Sequence, residues 1–212
     1  MNARDAVRLA LRDFYENSWR LLAVNALLGA ALVAAALATL AMPVAGVLLV
    51  LTGPLLAALV HCAVTLQRTG NLALVDAWEG ARLHWKRGLE LALIGSAVFA
   101  LGVFAVRFYG GSAIWPLVFL SLYVLVLLVV YGLVVWTLAI ADPEHGLRHT
   151  ASEAAVVVGS RPLPTLALGL VLVLVNIAGV AAAVMPFLTL TVAFTFLAIA
   201  HFVLPPTVEE AP

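Results

Sequence analysis

The densest cluster of potential metal ligands in the sequence is a pair of histidines four residues apart, His145 and His149, flanked by Asp142, Glu144 and Glu153. On a helix, side chains at i and i+4 share a face, and two imidazoles at that spacing can chelate zinc. The zinc-protease pattern requires a glutamate directly after the first histidine. Here that position is Gly146, and Pro143 and Gly146 break the start of the helix, so no metal is assigned. Cys62 is the only cysteine, which excludes a disulfide or a cysteine-ligated zinc within one chain. A phosphate-binding glycine loop, a GxSxG elbow and a CxxC pair are also missing. The sequence therefore reads as non-enzymatic and without a cofactor.

Five polar residues carry more weight because they lie inside long apolar runs: Asn25, His61, Glu90, Asn176 and His201. In hydrocarbon such groups must find partners, and ionisable ones are candidates for a solute or ion pathway. His61 and His201 lie about one turn from the same end of their runs, so they could share a vestibule that titrates near neutrality. The plainer alternative is that each reaches water at the interface. Glu90 follows Lys86 by four residues, the spacing of a local ion pair. Asn25 and Asn176 suit amide ties between helices as well as contacts to a solute. No Asp or Glu lies in the middle of a run, which argues against a pump with a buried carboxylate relay.

The elements that must position these residues are membrane helices. Of 212 residues 65% are hydrophobic and 10% charged, and the mean hydropathy is +1.14; soluble domains are about 45–50% apolar and about 25% charged. A chain this apolar cannot cover its outside with polar surface, whereas lipid-facing helices are apolar all round. A crossing takes about 20 apolar residues. Six stretches meet or approach that length: 21–41, 44–66, 89–106, 114–141, 163–184 and 187–204. The first two are separated by Met42-Pro43 and the last two by Met185-Pro186, so each pair reads as a tight helical hairpin. The expectation is an all-α, polytopic bundle: one transmembrane domain over 1–212, with six spans in three hairpins.

Ten of the eleven Lys and Arg residues fall in three charged segments, 1–20, 67–88 and 142–162, on one side of these runs. Arg107 alone is placed on the other side. The positive-inside rule then puts both termini in the cytoplasm. A cleaved signal peptide is the competitor for the first run, but that run is about 20 residues long against 7–15 for a signal core. Two charged segments are patterned as amphipathic helices. Arg4, Arg8 and Arg12 lie opposite Ala3, Val7, Leu11 and Phe14, and Leu74, Trp78, Ala81 and Trp85 share a face. Such helices lie in the membrane interface or pack beneath the bundle. In the second span Gly53-Pro54 predicts a kink, because proline removes a backbone hydrogen bond and glycine tolerates the bend.

Several local patterns together resemble the YesL-like family of small bacterial integral membrane proteins. They are Asn25 in "LLAVNALLG"; "TGPLLAALVHCAVTLQRTG" with Gly53-Pro54 and Ala57-Ala58; "LVDAWEGARLHWKRGL" with Asp76, Trp78 and Lys86-Arg87; and "HGLRHTASEAAVVVGSRPLPTL". The sequence departs from the family in lacking the usual aromatic residues after Ala58. The resemblance implies a location in the bacterial cytoplasmic (inner) membrane and an accessory or partner role in carbohydrate uptake, without catalytic residues. The expected partners are the lipid bilayer and either transporter subunits or a second copy of the chain. Nucleic acid is not expected. The alternative from the residues themselves is a stand-alone small transporter or channel lined by the five polar positions.

Overall fold

In the computed structural model the described residues, 2–110, 116–181 and 190–205, form an all-helical chain. In order these are α1 (Ala3–Glu16), α2 (Ser18–Ala41), a 3-10 turn (Pro43–Gly46), α3 (Val47–Leu51), α4 (Gly53–Thr69), α5 (Leu74–Gly110), α6 (Pro116–Ala141), α7 (Leu147–Ser160), α8 (Pro162–Ala181) and α9 (Val192–Val203). Five segments are long and apolar enough to cross a membrane: α2, α3 with α4, α5, α6 and α8. The sixth expected span falls partly outside the described residues, and the Met185-Pro186 turn lies wholly outside them. Its described helix, α9, has 12 residues, about 18 Å of rise against a hydrocarbon core of roughly 30 Å.

The second span is interrupted where proline and glycine meet. α3 ends at Leu51, Thr52 donates its hydroxyl to the Leu49 carbonyl at 2.7 Å, and α4 restarts with Gly53-Pro54 in its first turn. Proline fits there because the amide it lacks has no intrahelical acceptor in a first turn. At the other end α4 stops at Gly70, whose φ of 67° is the left-handed conformation that glycine adopts without a steric penalty.

The expected amphipathic segment around 74–86 and the third span follow each other without a loop, as two helical parts that meet at a kink and together make up α5. α5 runs for 37 residues, with a kink at His84 (φ −106°, ψ 15°). No proline interrupts 74–110, and its Gly80 and Gly88, each costing about 1 kcal/mol in a helix relative to alanine, serve close packing instead. A Cβ on Gly88 would fall 2.7 Å from the Gly53 carbonyl oxygen, and one on Gly53 would overlap the Gly88 carbonyl. Helices α4 and α5 thus touch backbone to backbone, as small residues allow in membrane bundles. Arg107, expected in a loop, lies within this helix.

Burial is uneven along the helices. In α5 the buried residues are Gly80, His84, Gly88 and Leu91, with none beyond; in α6 the first is Val130. In contrast α4 and α9 are buried along most of their length. The core therefore sits at the end that carries the charged segments, and the far halves of α5 and α6 pack mainly on each other.

α1 packs on α9 and α8. Ala6, Ala10 and Asp13 are its buried residues, and Phe14 meets Phe194 edge to face at 6.2 Å. Leu11, expected on the packed face, is 61% exposed. The apolar stripe is rotated toward the alanines, whose small side chains let α1 approach closely. In α5 too the packed face differs from the apolar face expected for the membrane interface or the underside of the bundle. The face that packs is Gly80, His84 and Gly88, while Trp78 and Trp85 point outward.

Candidate functional site

Two histidine-centred pairs stand at the charged end of the bundle. His61, on α4, meets His84 at the kink of α5, with Nδ1 of the former 3.3 Å from Nε2 of the latter. One ring donates and the other accepts. The rings are tilted at 45° with centroids 5.2 Å apart. Gly80, one turn before His84, admits them: a Cβ there would come within 2.7 Å of the His61 Cβ. The glycine face of α5 is therefore the seat of the His61 side chain.

The second pair joins the ends of the chain. His201 Nε2 lies 2.8 Å from Asp13 Oδ2, both side chains less than a tenth exposed. Burial raises the Asp13 carboxyl pKa, but the hydrogen bond and charge of His201, followed by those of Arg12, outweigh it and leave it below the ordinary value of 3.8. Arg12 Nε reaches Asp13 Oδ1 at 3.1 Å. Asn17, in the break between α1 and α2, donates to the Asp13 carbonyl and accepts from Arg20, which also reaches Asn71 at 3.0 Å.

Arginine and glutamine side chains stitch the same end. Arg68 donates to the carbonyl of Ala141, the last residue of α6, at 3.1 Å. Arg87 donates to the His145 carbonyl and Gln67 to that of Pro205 at 2.9 Å. A helix C-terminus leaves its last carbonyls unpaired and carries a partial negative charge, so a guanidinium is a fitting cap for α6.

The remaining expected positions are scattered. Asn176 on α8 donates to Thr195 at 2.9 Å and accepts from Thr191 at 3.1 Å, an amide tie from α8 to α9 and the residues before it. Asn25 on α2 is 1% exposed, and neither amide atom has a hydrogen-bond partner among the described residues. Glu90 is exposed on α5, without an ion pair to Lys86. His145 and His149 stack at 4.4 Å, and His145 pairs with Asp142 at 2.9 Å. Among the described residues no three His, Cys, Asp or Glu side chains converge to hold a metal ion.

Of the five positions, His61, His201 and Asn176 are thus tied to different neighbours, while Asn25 and Glu90 have no such tie among the described residues. The two clefts between α5 and α6 are lined by other residues. One of about 300 Å³ lies between α5 and α6 over α4 and α9, walled by Leu56, Leu91, Phe99, Val129, Trp136 and Phe196 among others. A second, of about 490 Å³, lies between the far halves of α5 and α6. Both are almost wholly apolar. Chemically, the arrangement supplies two histidine-centred hydrogen-bonded pairs, and it offers apolar surface on helices long and apolar enough to cross a membrane.

Asp13 and His84 did not stand out in the sequence, although each had a signal. Asp13 follows Ala6 and Ala10 on one helical face, an acid on an apolar stripe, and His84 lies midway between Gly80 and Gly88 at a spacing of four. Comparison with protein-family models, curated proteins and solved structures finds no match to this chain.

Proposed function

We propose that the chain is a non-enzymatic integral membrane protein that acts as an accessory or partner component in solute uptake, with carbohydrate the favoured solute through the resemblance to YesL-like proteins. The observation that carries this reading is the separation of the polar residues. A transport pathway brings polar groups from several helices to one cavity; here His61, His201 and Asn176 form separate ties, and the two clefts between α5 and α6 are lined almost wholly by apolar side chains. Surface for a partner is plentiful at membrane depth, since the far halves of α5 and α6 expose Phe99, Leu101, Phe104 and Phe119. The topology that goes with this reading is six spans with both termini cytoplasmic, and reporter fusions at Thr207 and Gly111 should read opposite sides. Mild-detergent pull-down with mass spectrometry tests the role. Transporter subunits enriched over an unrelated membrane bait support it, whereas reconstituted vesicles that take up sugar with this chain alone would overturn it.

The stand-alone transporter keeps one observation in its favour, the buried Asn25 amide with no partner. A pathway that uses this amide loses flux in Asn25→Leu. A packing role leaves any flux unchanged.

A further inference from the structure

A hydrogen bond between two imidazoles differs from the other polar ties described above in what a proton does to it. His61 Nδ1 and His84 Nε2, 3.3 Å apart, need one ring nitrogen carrying hydrogen and one lone pair. A first added proton leaves an imidazolium donating to an imidazole. A second leaves two donors and no acceptor, with like charges in contact. The contact sits at the kink of α5, beside the close approach of Gly80 to His61. It therefore lies where the part of α5 from Leu74 to Leu83 meets α4.

The charges around the pair do not remove this sensitivity. Asp76 and Glu79 act on His61 from α5 and Arg68 acts on it from α4, while Arg87 acts on His84. Two acids thus oppose two bases. Arg68 and Arg87 are themselves drawn to the carbonyls of Ala141 and His145. From α9, which also packs on α4, the histidine His201 is engaged by Asp13. The Asp13 tie has the opposite logic: a carboxylate accepts from His201 whether that ring is neutral or protonated.

We propose that the His61–His84 contact is an acid-released latch, which holds the first ten residues of α5 against α4 near neutral pH and lets them go when both rings are protonated. This assigns a conformational response to a place that the proposed function does not use, and it stands whether or not that reading holds. An imidazole titrates near pH 6.5 in the absence of perturbation. The released state takes up a proton that the latched state excludes, so opening rises about tenfold for each pH unit below that value.

The test is hydrogen exchange by mass spectrometry on the full chain in lipid nanodiscs at about pH 7.5 and about pH 5.5, bracketing the imidazole value, with rates corrected for the intrinsic effect of pH. Amides of 74–83 should exchange about tenfold faster at the lower pH, while those of α1, held by Asp13 and His201, should not change. In His84→Gln the amide can donate to or accept from His61, so protection of 74–83 should become independent of pH. The wild-type comparison alone can decide the matter should that variant not fold. An unchanged 74–83 segment in the wild type, an equal change in α1, or the same acid response in His84→Gln would overturn the latch.

Discussion

The charged end and the far end of this bundle are built from the same helices by different means. At the charged end, α4, α5, α6 and α9 are buried against one another, glycine backbones touch, and several polar side chains, among them His61, Gln67, Arg68, Arg87 and His201, are tied to other parts of the chain. At the far end, α5 and α6 continue as an apolar pair with no buried residue beyond Leu91 or before Val130 among those described. Lipid replaces neither kind of interaction equally. Apolar burial between helices yields little in hydrocarbon, because lipid tails are as apolar as leucine. Cohesion must come from close packing and hydrogen bonds; the charged end has the histidine and arginine ties and the Gly53–Gly88 contact, while toward the far end there are the Asn176 tie to α9 and the seating of Leu125 against Gly102.

The comparison is most sharply broken at Gly88. Gly88→Leu drives a side chain into the Gly53 backbone, where overpacking costs upward of about 3 kcal/mol; monodisperse protein in size-exclusion chromatography should be lost. Survival of a folded Gly88→Leu would mean that the two ends are equally loose. Next comes His201→Ala, which strands the buried Asp13 carboxylate. Removing one partner of a buried pair costs about 3–5 kcal/mol, measurable as a lowered thermal midpoint in detergent. The pH dependence has a definite sign. The Asp13 pKa is lowered in the folded state, so its contribution is complete above 3.8 and lost as pH falls through the folded value. A wild-type midpoint that falls no more steeply than that of Asp13→Asn as pH drops below about 3.8 would contradict this. Asn176→Leu should cost less, about 0.6 kcal/mol, the average for a hydrogen bond inside a membrane protein. The smallest effect belongs to the far end. Gly95 has open space where a Cβ would go, so Gly95→Ala should be neutral or stabilise by up to about 1 kcal/mol through helix propensity. Marked destabilisation there would show that a neighbour covers this face.

Hydropathy carried the helices, because a run of apolar residues long enough to cross is a local property of the chain. Proline with glycine likewise marks the place near Thr52 where the second span is interrupted. Pairing was illegible for a different reason. Asp13 and His201 are 188 positions apart, and nothing in a single sequence ties a residue in one helix to its contact in another. The change from a charged stretch to an apolar one within α5 marked two elements, and the backbone does leave helical geometry between them, at His84; that the two follow each other without a loop was not legible. Of the paired histidines only His61 was visible, as an isolated polar residue, and its seat on α5 is made by Gly80, a residue with no side chain to draw attention.

The length of α5 has a mechanical consequence. From Gly88, where the helix bears on Gly53, the chain runs about 21 Å back to Leu74 and about 33 Å onward to Gly110 at 1.5 Å per residue. The glycine contact is a fulcrum set nearer one end of a beam. While the kink at His84 stays stiff, a displacement of the short limb reappears at the far tip about one and a half times larger and in the opposite sense. Once the kink yields, the short limb swings alone and the far tip stays where it was.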